Sequence, residues 1–151
     1  MDLHIAYKHL DHRQYDGSST PWIEIMDIKV EELINTAETL VSFTCPLGAA
    51  WGRWRGKSVP TTGIHLVEFD IPGDIESLSK AEGDAAIIGN YQSGSILIRG
   101  ELESLDEDGV AGIRIATDIM LIDAPSSANH LQVGALVEFI VDGIDIYPYS
   151  V

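Results

Sequence analysis

Basic residues are scarce in this chain, and none follows Arg114. Nine Lys and Arg stand against 24 Asp and Glu, for a net charge of −15. Residues 58–151 carry 16 acids and only three bases, Lys80, Arg99 and Arg114, a net −13. Such a field repels nucleic acid and anionic membrane and attracts basic partners. Cysteine is nearly absent too. Cys45 stands alone, so no intrachain disulfide forms, which fits a reducing compartment. Uninterrupted apolar runs fall far short of the ~20 residues a membrane span needs. The start, Met1-Asp2-Leu3-His4, has neither a basic nor an apolar segment, so no signal peptide is evident. These features point to a soluble, cytoplasmic protein. At 151 residues a single domain is expected over 1–151. A domain of this size buries roughly 70% of its unfolded surface and needs no staples.

What is present is mostly β-patterned. Residues 3–9 alternate, with Leu3, Ile5 and Tyr7 on one side and His4, Ala6 and Lys8 on the other. Residues 22–26 are short and apolar, again a strand. Val30, Leu33, Ile34, Ala37, Leu40 and Val41 then fall at helical spacing. With Asp27 as N-cap and Glu31 and Glu32 in the first turn, this predicts a helix over 29–42. Residues 48–63, rich in Gly, Trp and Arg, read as a long exposed loop. A strand is expected over 64–71, and Asp74 caps a short helix to about Ala81.

From Asp84 onward the reading is all β. Turns at Gln92-Ser93-Gly94, at Asp106-Glu107-Asp108-Gly109 and at Asp142-Gly143 divide alternating runs. The last of these is a hairpin signal. A continuous antiparallel meander over 84–149 follows from it. The expected fold class is therefore α+β, mostly β: a curved or barrel-like antiparallel sheet with one main helix packed on it.

Chemistry-bearing residues form no recognisable motif. His4, His9 and His12, with Asp11 nearby, match no standard zinc spacing, and two of the histidines face opposite sides of a strand. Cys45 precedes Pro46 at the expected end of the helix, where the dipole disfavours a thiolate. Asp106 to Gly109 lacks the alternating ligands of a calcium loop. No nucleophile elbow and no phosphate-cradling loop is present. No metal, no cofactor and no catalytic activity is expected.

The stretch Trp51-Gly52-Arg53-Trp54-Arg55-Gly56-Lys57 holds three of the nine bases and two of the three tryptophans. Trp and Arg are enriched at interface hot spots. Alternating aromatics and bases also suit nucleobase stacking, which the overall field opposes. A plain reading has one Trp in the core and the Arg side chains paired with local acids. Glu101, Glu103 and Asp118 alternate with apolar positions on strands flanking Asp106, Glu107 and Asp108. These acids, with Trp51 and Trp54, are the candidate partner-binding residues.

In being a compact, acidic single domain with no catalytic motif and no evident signal peptide, the chain resembles the bacterial immunity proteins of polymorphic and contact-dependent toxin systems. The resemblance implies an inhibitory binding protein that blocks the active site of a basic partner, such as a cognate toxin nuclease. The alternative is a small β-barrel binding a low-molecular-weight ligand, or an enzyme whose site is assembled from scattered residues. Its natural form is a pocket lined by Trp22, Trp51 or Trp54 with His65.

Overall fold

Apolar and polar residues alternate along Met26, Asp27, Ile28, Lys29 and Val30, and the chain there is a strand that runs on to Asn35, into the segment where a helix was predicted over 29–42. The computed structural model describes residues 26–116 and 118–149. The expected strand at 3–9 and all but Met26 of that at 22–26 lie outside these residues, as do His4, His9, His12, Asp11 and Trp22. Among the described residues there is no α-helix, and the only helical element is a 3-10 turn at Ser126–His130.

The segment assigned to the helix is a hairpin of β1 (Met26–Asn35) and β2 (Leu40–Cys45). Its apolar spacing has a specific origin. Pairing of β1 with β2 is interrupted by irregularities between Val30 and Glu32 and between Leu33 and Asn35. Each extra residue shifts the two-residue period by one step. Met26, Ile28 and Val30 are buried, while Leu33 and Ile34 are half-buried. Two phase shifts and a turn thus imitate a 3.6-residue repeat. The turn is built locally: Asn35 Oδ1 accepts the Glu38 N–H at 3.0 Å, and Thr39 sits at φ 55°.

Residues 48–54, read as loop, form β3 (Gly48–Trp54). Glycine suggested a loop, but Gly52 serves a close approach. A Cβ there would lie 2.8 Å from the Ile144 carbonyl oxygen and 2.8 Å from Ile146 Cδ1. β4 (Gly63–Asp70) pairs with β1, and a last strand enters between β3 and β4. The five close into a barrel in the order β1, β2, β3, last strand, β4. Closure removes unpaired sheet edges. The pairs are antiparallel except that of the last strand with β3. Phe43 and Phe69 stack inside at 5.5 Å between ring centroids.

The short helix expected from Asp74 is also absent. Residues 71–78 run irregularly into β5 (Ser79–Lys80), with Ile75 and Leu78 buried. The second sheet continues with β6 (Ala86–Asn90), β7 (Ser95–Leu105), β8 (Val110–Ile115), β9 (Asp118–Asp123) and β10 (Leu136–Val141). β6 to β9 follow one another as antiparallel neighbours across the expected turns. The meander ends there. β10 returns to the other edge of β7, so that long strand has β10 on one side and β6 and β8 in series on the other. β11 (Asp145–Pro148) is the strand that completes the barrel. Asp142-Gly143 is therefore a passage between two sheets and not a hairpin. One contiguous cluster of buried apolar side chains runs through both sheets.

Candidate functional site

The outer face of the second sheet is set by the parity of β7. Ile96, Ile98, Gly100 and Leu102 point inward, leaving Leu97, Arg99, Glu101 and Glu103 outside. Glu101 is exposed, opposite Arg114 on β8 and Leu136 on β10. Glu103 accepts from two of the three guanidinium nitrogens of Arg114, Nε and Nη2, the latter at 2.8 Å. An ion pair this accessible contributes ~0–1 kcal/mol, but it neutralises Glu103 locally.

Asp106, Glu107 and Asp108 lie exposed at the β7–β8 hairpin tip. Asp106 Oδ1 accepts the backbone N–H groups of Asp108 and Val110, each at 2.9 Å. Asp118 has no exposed surface and lies in the interior, because its position on β9 faces Ile115 on the buried side of β8. Trp51 and Trp54 are 7% and 6% exposed, so neither stands out as a surface anchor. Arg53 pairs with Glu38 at 3.5 Å and Arg55 with Asp145 at 3.9 Å. The candidate acids therefore divide into the outer face, the hairpin tip and one buried position. Asp123, exposed opposite Val110 beside the tip, was missed because it ends a strand whose neighbours are apolar.

A second acidic region lies toward the β10 edge of the same sheet. A hollow of about 390 Å3 is lined by Asp74, Glu76, Glu138 and Asp142 together with Leu97 and Ile140. Glu138 is bound to Arg99 at 2.9 Å. Ile88, Leu97 and Ile140 stand side by side across β6, β7 and β10, and Ile88 and Ile140 are 52% and 63% exposed. Sequence alternation put all three on strands. That they form one row depends on the register between strands far apart in the chain.

The edge of β10 is open beside this hollow. The Leu136 carbonyl accepts the Ala81 N–H at 2.8 Å on the β5 side, and the Ala135 carbonyl accepts the Leu102 N–H at 2.8 Å on the β7 side. Backbone groups alternate sides along a strand, so Ile140 directs its N–H and C=O away from β7. β5 pairs with β10 only at Val137 and Glu138. Ile140 thus presents a sheet edge without a strand partner among the described residues.

The barrel has its own hollow, of about 530 Å3, at the end where β3 passes into residues 55–62. Trp54 and His65 line it with their rings edge to face at 5.0 Å. His65 Nε2 lies 2.7 Å from the Thr61 carbonyl, which makes Nε2 the protonated nitrogen. Tyr147 also lines it, and burial pushes its phenol above the ordinary value, against the opposing hydrogen bond from Arg55. The phenol is a neutral donor at neutral pH.

Cys45 ends β2 at the β2–β3 hairpin and is half-buried. Burial raises its thiol, opposed by the backbone N–H groups of Leu47 and Gly48. Alkylation by iodoacetamide near neutral pH is therefore expected to run slower in the native protein than in the urea-unfolded chain. Equal rates in the two states would refute that environment.

Among the described residues no three His, Cys, Asp or Glu converge as a metal site, and no helix is long and apolar enough to cross a membrane. No protein family, no curated protein and no solved structure matches this chain.

Proposed function

We propose that the protein is an acidic binding module that captures a basic, extended segment of a protein partner. Its site is the hollow beside the open edge of β10. The carrying observation is the coincidence there of three features. Four carboxylates line the hollow, the exposed Ile140 and half-buried Leu97 form its apolar wall, and Ile140 turns its N–H and C=O away from β7, without a strand partner among the described residues. An added strand would take its affinity from main-chain hydrogen bonds and its specificity from alternate side chains. Basic side chains would face Asp74, Glu76 and Asp142, and apolar ones would cover Ile140 and Leu97. The partner class implied by the resemblance to immunity proteins is a cognate toxin, a nuclease among them, bound in the cytoplasm to block its active site. A basic nuclease groove and this acidic surface are of complementary sign.

The test uses a synthetic peptide alternating Lys or Arg with Val or Ile, and its Glu-containing counterpart. Association kinetics are followed at two salt concentrations. The basic peptide alone should bind, and its on-rate should fall with salt, because exposed charges are screened within ~8 Å at physiological ionic strength. D74K/E76K should slow association more than it speeds dissociation. E107K/D108K makes the same charge change at the hairpin tip and should slow association less. Equal slowing by both pairs, or no binding of the basic peptide, overturns the assignment. Hydrogen exchange at the Ile140 amide should be fast in the free protein and slow in the complex. Protection of that amide in the free protein would mean that the chain's own residues or a second copy occupy the edge, which also overturns it.

A further inference from the structure

We infer that the Trp54 end of the barrel is a separate binding site for a small planar anion, an aromatic ring bearing a carboxylate or a phosphate. This site is independent of the acidic face. In a chain of net charge −15, the residues lining this hollow include no Asp or Glu. They do include Arg55 and Lys57, two of the nine bases. Lys57 is exposed and has no acidic partner among the described residues. Arg55 pairs with Asp145 at 3.9 Å and donates to the Tyr147 phenol, which leaves Lys57 as the uncommitted cation of the hollow among the described residues.

The remaining surface suits a flat apolar body. Pro60, Pro148 and Val59 line the hollow alongside Trp54 and His65. Its volume falls in the ~300–1,000 Å3 range of small-ligand sites. The covering segment is held at both ends. A Cβ on Gly56 would lie 2.6 Å from Trp54 Nε1 and 2.8 Å from Pro148 Cγ, so the backbone rests directly on those rings. At the other end the Thr61 carbonyl accepts from His65. A hollow held in this way needs little ordering on binding, which favours affinity.

Charge selects the ligand in two steps. Lys57 and the phenol of Tyr147 supply donors to one anionic group. The acidic remainder of the protein repels a polyanion, so nucleic acid is disfavoured and a small ion is admitted. Carboxylate and phosphate share this recognition chemistry.

The experiment is an amide NMR titration of the full chain with benzoate, phenyl phosphate, benzamide and benzylamine. Benzoate or phenyl phosphate should give saturable shifts centred on Arg55, Gly56, Lys57 and His65. Whichever anion saturates at lower concentration identifies the preferred group. Benzamide and benzylamine should bind more weakly. K57Q should weaken the anion about tenfold, as expected for loss of a charge-assisted contact, without changing the thermal melt. V59D, which adds an acid at the rim, should weaken it as well. The inference is overturned if neither anion saturates at millimolar concentration, if the shifts centre elsewhere, if benzamide binds as tightly, or if K57Q binds the anion unchanged. None of these outcomes bears on the basic-peptide site, because the two tests use different ligands and different residues.

Discussion

Replacing Phe43 by alanine is expected to destabilise the protein by about 3–5 kcal/mol. Phe43 is 1% exposed and stacks on Phe69 across the barrel interior at 5.5 Å. Its removal loses the transfer free energy of a ring and opens a void that the closed barrel is poorly able to collapse. The loss is a large part of the ~5–15 kcal/mol that holds a typical domain folded. The melting temperature should drop by roughly 10 °C for a chain of this size. Leu33→Ala is the informative comparison. On a helix facing the sheet Leu33 would be a core residue, whereas in β1 it is half-buried next to an irregularity in the pairing. It is expected to cost less than about 2 kcal/mol. Urea melts of both variants decide the matter. A Leu33→Ala effect as large as that of Phe43→Ala would contradict the strand assignment.

Gly52→Val is the second large effect, expected to destabilise by about 3 kcal/mol through overpacking. The added Cβ meets a backbone carbonyl, that of Ile144, and the Ile146 side chain, both at 2.8 Å. The Ile146 side chain can turn aside, but the Ile144 carbonyl is backbone and yields only if the chain entering β11 is displaced from β3. The consequence reaches beyond stability. Arg53 donates its N–H to the Ile144 carbonyl and Arg55 to that of Ile146, so loosening β11 also loosens the start of the segment over Trp54. Hydrogen exchange of the Arg53 and Arg55 amides should accelerate more than that of Leu97 in the second sheet. Uniform acceleration throughout, or a denaturant midpoint unchanged from the parent, would show that β3 and β11 are not in contact at this point.

The two candidate sites differ in what positions them. The acidic hollow depends on β10 turning back to pair with β7, which leaves the Ile140 edge open beside residues 74–79. The barrel hollow depends on closure, which brings Tyr147 and Pro148, near the end of the chain, beside Trp54 and His65. Each site joins residues dozens of positions apart. This is why neither was visible as a motif, although a pocket lined by Trp54 and His65 was among the expected forms.

Charge bias, the strands over most of 84–122 and the turns at Gln92 to Gly94 and Asp106 to Gly109 were legible in the amino-acid order, because they are local. An alternating side chain, a turn carboxylate at Asp106 and a glycine at φ 83° act within a few residues. Long-range packing decided the rest. Only tertiary structure made 29–42 a bulged hairpin, because the bulges are set by pairing of β1 with its neighbours and shift the very period from which a helix is read. Only closure of the barrel made Gly48–Trp54 a strand, since Gly52 is required by Ile144 and Ile146 and not by its own neighbours. The burial of Asp118 against Ile115, the passage at Asp142-Gly143 and the row of Ile88, Leu97 and Ile140 likewise come from register between distant strands. Local patterning fixes which face of a strand is apolar, but which strand lies beside it is settled by the pairing that buries that face best.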